Sequence, residues 1–324
     1  MTMMELVEVS HRYGGAASGL NVLDHVNLEL APKEIAAVVG ESGCGKTTLG
    51  RIVTGLVRPL AGEVRFEGVE ISRLGRRADR RYRRAVQLVH QDPYASLNPA
   101  LPIGDILGAA MLHHGIISRR GLEGELLRLL DLVGLEGAPG LLRRYPHQLS
   151  GGQRQRVAIA RAVSLHPALI VADEAVSMLD VSMKVAIMQL MLDIHRKESL
   201  SYLFISHDLG VVRQFARQGR TIVMFYGVIV EEGPTEVVIN TPRHPYTRLL
   251  LTALPVPDPR VARIRRQEAG PVDPGGVPSA TGCVFANRCP MVEEECRRAR
   301  PALTEAAPGH RTACLLWDRI PPPI

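Results

Sequence analysis

The sequence predicts an α/β fold, and three observations lead to this prediction. Short β-rich runs alternate along the chain with segments of helical periodicity. Several of the runs, such as IAAVV and ALIVA, are continuously apolar, which is typical of strands covered on both faces. The 324 residues, 46% hydrophobic and 22% charged, have an ordinary globular composition and suffice for one large domain with an appendage.

Eight segments have the composition of strands. They are LVEVSHRY, VNLEL, EIAAVVG, GEVRFEG, AVQLVHQ, ALIVADE, SYLFISH and RTIVMFYGVIVEEG. No comparable run lies between QDPYASLNP and LSGGQ, where GDILGAAMLHH and LEGELLRLLDLVGL carry apolar residues at three-four spacing. This stretch therefore predicts a helical subdomain over about residues 92–163.

A change of composition divides the chain near its C-terminus. After HPYTRLLLTAL the sequence becomes rich in proline and glycine, and a cysteine-rich segment follows. We expect a domain of residues 1–254 and a C-terminal extension of residues 255–324. The apolar runs are far shorter than the roughly 18 residues that cross a bilayer, and the N-terminus lacks an export pattern, so a cytoplasmic location is expected.

The basic residues concentrate in one segment. The net charge is +6, and RRADRRYRRAV, Arg76 to Val86, holds six arginines with one aromatic residue, Tyr82. Nucleic-acid platforms normally bring several aromatic residues for stacking, so a solvated surface is the favoured interpretation.

The segment GESGCGKTT fits the phosphate-binding pattern G-x-x-x-x-G-K-[ST] and lies between an apolar strand and a helical pattern, as that motif requires. Backbone N–H groups and the helix N-terminus would surround the phosphates, and Lys46 would neutralise the β- and γ-phosphate oxygens. Thr47 would offer its hydroxyl to Mg²⁺, and Cys44 is interpreted as a small filler. The expected nucleotide-binding residues are Gly40, Ser42, Gly43, Cys44, Gly45, Lys46, Thr47 and Thr48.

Two further segments carry chemistry. The apolar run ALIVADE ends in Asp173, suited to holding Mg²⁺ directly or through water, and Glu174, suited to polarising an attacking water. LSGGQRQRVAIARA opens a helix with a serine and two glycines, which makes a second anion-ready helix N-terminus. One nucleotide cannot easily bind to both the phosphate loop and this second helix N-terminus.

Taken in order, GESGCGKTT, HQDPYASLNP, LSGGQ, IVADE, SMLD and SHD resemble the motifs of the ATP-binding subunits of ABC transporters, over essentially the whole chain. The resemblance implies a P-loop NTPase fold with a RecA-like core, an antiparallel β-subdomain and a helical subdomain. In that family two ATPase subunits sandwich two ATP molecules, each held by the phosphate loop of one subunit and the signature segment of the other. The signature segment of this chain would then bind the ATP that is held by the phosphate loop of the partner.

The resemblance also assigns roles to matching residues. Tyr13 would stack on adenine, Gln91 would contact Mg²⁺ and the attacking water, and His207 would contact the γ-phosphate. Asp180 would lie at the interface between subunits. Taken singly, Tyr13, Gln91 and His207 fit ordinary packed or turn positions, and only the set is specific. The signature residues expected to reach ATP across the interface are Ser150, Gly151, Gly152 and Gln153.

Three features depart from the family pattern. Ala175 stands where proline is usual, Met178 stands where a small residue is usual, and VSMKVAIM is less typical after Asp180. None is at a phosphate-contacting position, so the departures bear on packing at the subunit interface.

Four cysteines lie close together in the extension with the spacing C-x5-C-x6-C-x17-C. A reducing cytoplasm argues against disulfides, and four thiolates suggest a metal. Zinc sites usually begin with cysteines two to four residues apart, whereas this spacing suits a cuboidal iron–sulfur cluster at least as well, and both alternatives stay open. The four residues are Cys283, Cys289, Cys296 and Cys314.

The extension, together with PRHPYTRLLLTALP, resembles the C-terminal region of ATPase subunits from oligopeptide/dipeptide and nickel importers. The resemblance implies a structural [4Fe–4S] cluster and an ATPase, using ATP and Mg²⁺, that energises import of peptides. Nickel, glutathione and opines remain alternative cargoes.

YPHQLSGGQRQRVAIARA and VHQDPYASLNP resemble the second of two nonidentical ATPases, the F-type subunit. The implied partners are a paralogous ABC ATPase in a heterodimer, two membrane permease subunits and, indirectly, an extracytoplasmic solute-binding protein, with no nucleic acid. The chain would lie at the cytoplasmic face of the inner or plasma membrane, attached through the permeases.

Two other functions are alternatives for this sequence. A soluble ABC protein acting on nucleic acid or ribosomes is favoured only by the basic charge, and the sequence has neither the second cassette nor the long coiled-coil insert usual in such proteins. A regulatory subunit that does not hydrolyse ATP is disfavoured by the intact Lys46, Asp173, Glu174 and His207.

Overall fold

A computed structural model describes residues 2–14, 21–135, 139–254 and 281–320, with the single residues 260 and 279. Strands form in all eight segments that the sequence predicts. The strands are β1 (Met4–His11), β2 (Leu23–Leu30), β3 (Ile35–Val39), β4 (Ala61–Phe66), β5 (Val69–Glu70), β6 (Val86–Val89), β7 (Leu169–Asp173), β8 (Ser201–Ser206), β9 (Arg220–Phe225), β10 (Val228–Pro234), β11 (Thr304–Ala307) and β12 (His310–Thr312).

The helices lie between these strands and over the sheet. They are α1 (Lys46–Val53), α2 (Arg76–Ala85), α3 (Pro93–Ser96), α4 (Ile103–His113), α5 (Leu122–Leu132), α6 (Gly151–Val163), α7 (Val181–Glu198), α8 (Leu209–Phe215), α9 (Thr235–Asn240), α10 (Pro245–Thr252) and α11 (Glu294–Arg298). The arginines of α2 are exposed and its Tyr82 is buried. Across the described ranges, we find no helix with the length and apolarity of a membrane span.

A large sheet forms the centre of the molecule, with the strand order β11-β12-β10-β9-β3-β8-β7-β6. Strands β9, β3, β8, β7 and β6 run parallel, and β10, β12 and β11 continue the sheet antiparallel. Alternate residues of β3 enter two different apolar clusters: Ala37 and Val39 pack in one, Ala36 and Val38 in the other. The sheet is therefore covered on both faces, as the apolar runs predict.

A second, antiparallel sheet has the order β2-β1-β4-β5 and packs with α1 in one of the two clusters. Helices α3 to α6 follow one another through the segment predicted to be helical, with Leu107, Met111, Leu129 and Val157 buried among them. This arrangement confirms the core, the β-subdomain and the helical subdomain.

The C-terminal hairpin β11–β12 joins the large sheet through β10, where Glu231 pairs with Thr312. The sequence did not predict these two strands. The expected boundary after Leu254 adjoins residues outside the described part of the chain, so the division at 254/255 stays a prediction.

The parallel strands place the sequence motifs side by side. The phosphate loop follows β3, Gln91 follows β6, Asp173 ends β7 and His207 follows β8. Because carboxyl ends of parallel strands share one edge of a sheet, these side chains converge there.

Candidate functional site

The phosphate loop turns sharply between β3 and α1, and its glycines are required by the space they occupy. Gly43 and Gly45 have φ values of 84° and 105°, a region that side chains other than glycine rarely adopt. A Cβ on Gly40 would lie 2.1 Å from the carbonyl oxygen of Met224. The loop is thus seated directly against the backbone of β9.

Lys46 begins α1 and is almost fully buried. Its ammonium donates hydrogen bonds to the carbonyl oxygens of Gly40 at 2.7 Å and Glu41 at 2.8 Å. The positive charge is therefore held inside the loop, where phosphate oxygens would meet it. Burial raises the pKa of the neighbouring Cys44 thiol, which fits a packed filler more than a nucleophile.

Thr47 and Asp173 face each other at the start of α1 and the end of β7. The Thr47 hydroxyl donates to the Asp173 carboxylate at 3.1 Å. Burial raises the pKa of Asp173, so its ionised form lacks full compensation from water and would gain from a cation. A hydroxyl and a buried carboxylate are oxygen donors of the kind that Mg²⁺ prefers, so these residues fit the expected ion.

Gln91, Glu174 and His207 meet at the same sheet edge. The Gln91 side-chain amide donates to Glu174 Oε2 at 3.1 Å, and His207 Nδ1 lies 3.2 Å from Glu174 Oε1. Glu174 has a φ of 47°, an uncommon conformation for a residue with a side chain. Both carboxylate oxygens are therefore oriented by neighbours that sequence reasoning placed in the same site.

Tyr13 lies after β1, beside the phosphate loop. Its ring packs edge-on against His11, with ring centroids 4.9 Å apart, and the Thr48 hydroxyl lies 3.4 Å from its phenol oxygen. With about half of its surface exposed, the ring offers a face on which a base could stack.

The signature segment forms the N-terminus of α6 and is closed by a capping box. The Ser150 hydroxyl accepts from the Gln153 backbone N–H at 3.3 Å, and the Gln153 side chain accepts from the Ser150 N–H at 3.0 Å. In the part of the chain that the structure describes, no hydrogen bond or ion pair joins this segment to the phosphate loop. Within one chain, the signature segment is thus not joined to the phosphate loop.

Met183 covers the signature glycine. A Cβ on Gly152 would lie 1.5 Å from the terminal methyl of Met183, so that side chain rests directly on the segment. Asp180, the exposed N-cap of α7, accepts hydrogen bonds from the Met183 N–H at 2.9 Å and the Ser182 hydroxyl at 2.6 Å. The atypical VSMKVAIM therefore contributes to the signature surface itself.

The four cysteines of the extension surround one small cavity. They line it together with apolar groups that include Phe285 and Met291, and none of them forms a disulfide. Burial raises the pKa of Cys283, that of Cys289 to about 11 and that of Cys314 to about 12. No group of three or more His, Cys, Asp or Glu side chains within the described ranges is arranged to hold a metal ion, so both the cluster and zinc stay predictions.

Sequence reasoning missed three residues that support the phosphate loop. The Glu41 carboxylate forms a two-point ion pair with Arg288, both distances being 2.8 Å, and the Glu41 N–H donates to the Tyr246 hydroxyl at 2.8 Å. A carboxylate inside a loop that binds anions is a signal that a cation should lie beside it. Nothing in the sequence identifies that cation, which is 247 positions away.

Comparison with known proteins bears on the whole chain. Residues 23–177 match the family model of the ABC transporter, and residues 230–296 match that of the oligopeptide/dipeptide transporter C-terminal region. The oligopeptide transport ATP-binding protein OppF of Salmonella typhimurium is 41% identical over 305 residues, covering 93% of this chain and 89% of that protein. A Brucella ovis protein named for peptide import and ATP binding is 42% identical over 318 residues, 97% of this chain and 99% of that one.

Solved structures of ATP-binding cassettes have a similar fold. The dimeric ATP-binding cassette MJ0796, in a post-hydrolysis state with ADP and Pi, superposes with a TM-score of 0.64 at 29% identity, covering 72% of this chain and 99% of that chain. The fold is also shared with cbiO1 from Clostridium perfringens, with a TM-score of 0.64 at 23% identity over 82% of this chain and 98% of that chain. Because the similarity to OppF spans nearly the full length and the motif residues converge at one sheet edge, the chain belongs to the ATP-hydrolysing subunits of ABC transporters, in their oligopeptide/dipeptide group.

Proposed function

We propose that this chain hydrolyses MgATP to energise the import of di- or oligopeptides through a membrane permease. The convergence of Gln91, Glu174 and His207 beside the phosphate loop is the observation that carries the hydrolytic part. Peptide is the proposed cargo because the related proteins of Salmonella typhimurium and Brucella ovis are named for it. Nickel, glutathione and opines are the alternative cargoes.

Within the site, each side chain has a separate task. Thr47 and Asp173 would hold Mg²⁺, and the bound ion would neutralise phosphate charge. Lys46 attracts the phosphate oxygens, and Glu174 orients the attacking water and polarises it as a general base. Gln91 and His207 fix the Glu174 carboxylate from opposite oxygens, so its approach to the water is determined before ATP binds.

The ATP would be enclosed by a second ATPase subunit, which we propose to be a paralogous chain. Two features support an interface with a second ATPase subunit. Ser150 at the helix tip is exposed, and in the described residues its hydroxyl and N–H form hydrogen bonds with Gln153 and not with the phosphate loop. Apolar side chains beside Asp180 are exposed, 62% for Met178 and 78% for Val181. Exposed apolar residues next to a functional loop are typical of an interface.

In the assembly, the helical subdomain and the Gln91 segment would contact two permease subunits at the cytoplasmic face of the membrane. A solute-binding protein outside that membrane would supply the cargo. ATP-driven closure of the two ATPase subunits would move the permeases, and hydrolysis would reset them.

For the extension we propose a structural [4Fe–4S] cluster at Cys283, Cys289, Cys296 and Cys314, with zinc as the alternative. The support is that all four cysteines line one small apolar cavity without a disulfide. Thiols with raised pKa values would be deprotonated only on metal binding, which makes loading release protons. Anaerobic purification followed by iron, sulfide and zinc analysis decides between the two. A chain with neither metal would refute the assignment.

The alternative of a nucleic-acid partner rests on the exposed arginines of α2. Two of the exposed arginines of α2 are already paired with carboxylates, Arg81 with Glu67 and Arg83 with Asp79, each at 2.7 to 2.8 Å. The segment therefore presents less free positive charge than its composition suggests.

Glu174→Gln tests the proposed function. ATP binding should remain, while hydrolysis by the complete transporter should fall by at least about 10²-fold, the scale for loss of a general base. Glu294→Gln is the matched control, since Glu294 is exposed and pairs with Arg298 on its own helix. Peptide uptake into vesicles that contain the assembled transporter should fall in Glu174→Gln and stay at the wild-type level in Glu294→Gln. Unchanged turnover in Glu174→Gln would contradict the assigned role.

A further inference from the structure

Glu41 is held at three points in the phosphate loop. Its N–H donates to the Tyr246 hydroxyl at 2.8 Å, its carbonyl accepts from the Lys46 ammonium at 2.8 Å, and its carboxylate receives Arg288. Only Lys46 belongs to the loop region. The other two groups come from α10 and from the cysteine-rich extension.

The ion pair with Arg288 is bidentate and its cation is rigidly placed. Both terminal guanidinium nitrogens lie 2.8 Å from different oxygens of Glu41. The Arg288 side chain is 7% exposed, whereas that of Glu41 is 38% exposed, so the arginine lies beneath the loop. The guanidinium carbon lies 5.4 Å from the centroid of Phe225 and 5.8 Å from that of Phe285, which restricts its motion further.

The charge of Glu41 gives this pair its importance. A loop that binds a triphosphate gains from positive charge, and an unpaired carboxylate in it would repel the ligand. Arg288 neutralises that carboxylate from the side opposite to solvent. It also fixes a loop whose Gly43 and Gly45 would otherwise lose conformational freedom on binding.

Both external supports of Glu41 begin at the cysteine cavity. Arg288 directly precedes Cys289, and Tyr246 directly follows His244 and Pro245, which line the same cavity. A change in the packing of the cavity would therefore reach the loop along two short paths.

We propose that Arg288 is a positioning residue for the phosphate loop, and that through it the cysteine-rich extension sets the affinity of the chain for ATP. This inference rests on the proposed function, because it assumes that the loop of residues 40–48 holds the nucleotide. It assigns the extension a role in nucleotide binding in addition to any metal that it holds.

The test measures binding of a fluorescent ATP analogue to the purified full-length chain with Mg²⁺ present. Arg288→Ala should raise the Kd about tenfold, equivalent to about 1.4 kcal/mol. Arg288→Lys should raise it less, because an ammonium keeps the charge but not the two-point geometry. Arg298→Ala, which removes an exposed arginine of the same extension, is the control and should leave the Kd unchanged.

A second substitution separates positioning from a general structural effect. Glu41→Gln added to Arg288→Ala should recover most of the lost affinity, because it removes the carboxylate left unpaired. In the assembled transporter, Arg288→Ala should raise KM for ATP and leave kcat within about twofold, since the groups around Glu174 are untouched. If Arg288→Ala misfolds, the Kd for the ATP analogue is compared instead in Arg288→Lys, which alters the cation of the pair, and in Glu41→Gln, which removes its anion.

An Arg288→Ala chain that binds the analogue within twofold of the wild type would overturn the inference. The same conclusion follows if Glu41→Gln fails to relieve the defect, or if kcat falls while Kd does not change. Lys46→Ala distinguishes this failure from failure of the proposed function. If Lys46→Ala binds ATP normally, the nucleotide site itself is misplaced, whatever Arg288 does.

Discussion

Replacing Glu231 by alanine should release the extension from the ATPase core. Glu231 is 0% exposed on β10, and its carboxylate accepts from the N–H groups of Arg243 at 2.5 Å and His244 at 3.0 Å, and from His310 Nε2 at 2.7 Å. The substitution removes this acceptor from the part-buried N–H of Arg243, the buried N–H of His244 and the buried imidazole of His310. Each orphaned donor costs about 1–3 kcal/mol, and breaking a buried pair from one side costs about 3–5 kcal/mol in total.

The chain contains its own probe for this event. Its one tryptophan, Trp317, lies in the extension, and the Arg243 guanidinium carbon is 5.4 Å from the centroid of its indole ring. Urea titration followed by tryptophan fluorescence reports undocking of the extension, and circular dichroism at the same urea concentrations reports loss of the core. We expect the fluorescence transition of Glu231→Ala to move to lower urea, ahead of the circular dichroism transition.

Two controls define the outcome. Glu294→Ala removes a glutamate that is 78% exposed and should shift neither transition measurably, because surface pairs contribute about 0–1 kcal/mol. His310→Ala should cost less than Glu231→Ala, because the carboxylate keeps its two backbone donors. If Glu231→Ala unfolds at the same urea concentration as Glu294→Ala, the buried network does not hold the extension and the reasoning is wrong.

Three other substitutions have distinct expected results. Gly40→Ala should abolish ATP binding, measured by analogue fluorescence, because its Cβ would lie 2.1 Å from a backbone oxygen of β9 that cannot move aside. Gly152→Ala should fold with a melting temperature near that of the wild type, because the flexible Met183 tip can move, yet fail to form an ATP-dependent dimer with the paralogous ATPase in size-exclusion chromatography. Burial would raise the pKa of Asp24, but its hydrogen bonds and the charge of Arg300 outweigh this and lower it. The ionised Asp24 therefore stabilises the folded chain above the pKa of an unfolded aspartate, about 3.9. This stabilisation is lost as the pH falls through the lower pKa that Asp24 has in the folded chain. Arg300→Ala should therefore weaken the dependence of the urea midpoint on acidic pH.

The strands were predictable where burial alone determines them. All residues of β7 and β8 are buried, and their apolar runs encode this without any partner. Strands β11 and β12 read TEAA and HRT, short and largely polar, and they form because β10 offers an edge for pairing. That edge is supplied by residues about 80 positions away, which no local pattern indicates.

The candidate site divides in the same way. Local spacing predicts the phosphate loop, and the end of an apolar strand predicts Asp173 and Glu174. Their contacts with Thr47 and Gln91 follow once parallel strands are assumed. The ion pair of Glu41 with Arg288 could not be predicted, because it depends on where the extension packs after a segment of no regular pattern.

The ion pairs between the core and the extension all carry their charges in the same direction. In the described residues, every ion pair between residues 2–254 and 281–320 has its acid in the core and its base in the extension. The pairs are Asp24 with Arg300, Glu41 with Arg288, Glu231 with His310, and Glu232 with Arg311. The more exposed bases, Arg300 and Arg311, contribute little energy but orient the approach of the extension.

The buried pairs differ from these in kind. Glu231 and His310 are almost fully enclosed, so added salt should affect their contact little, whereas the exposed outer pairs should weaken as ionic strength rises. Between these extremes, Arg288 is buried and its partner Glu41 is partly open to solvent at the phosphate loop. Raising salt should therefore loosen the outer pairs first and leave the two inner anchors closed, so the extension stays attached while the loop retains its support. The extension thus supports the phosphate loop from beneath, because Arg288, one of its two inner anchors, pairs with the loop residue Glu41.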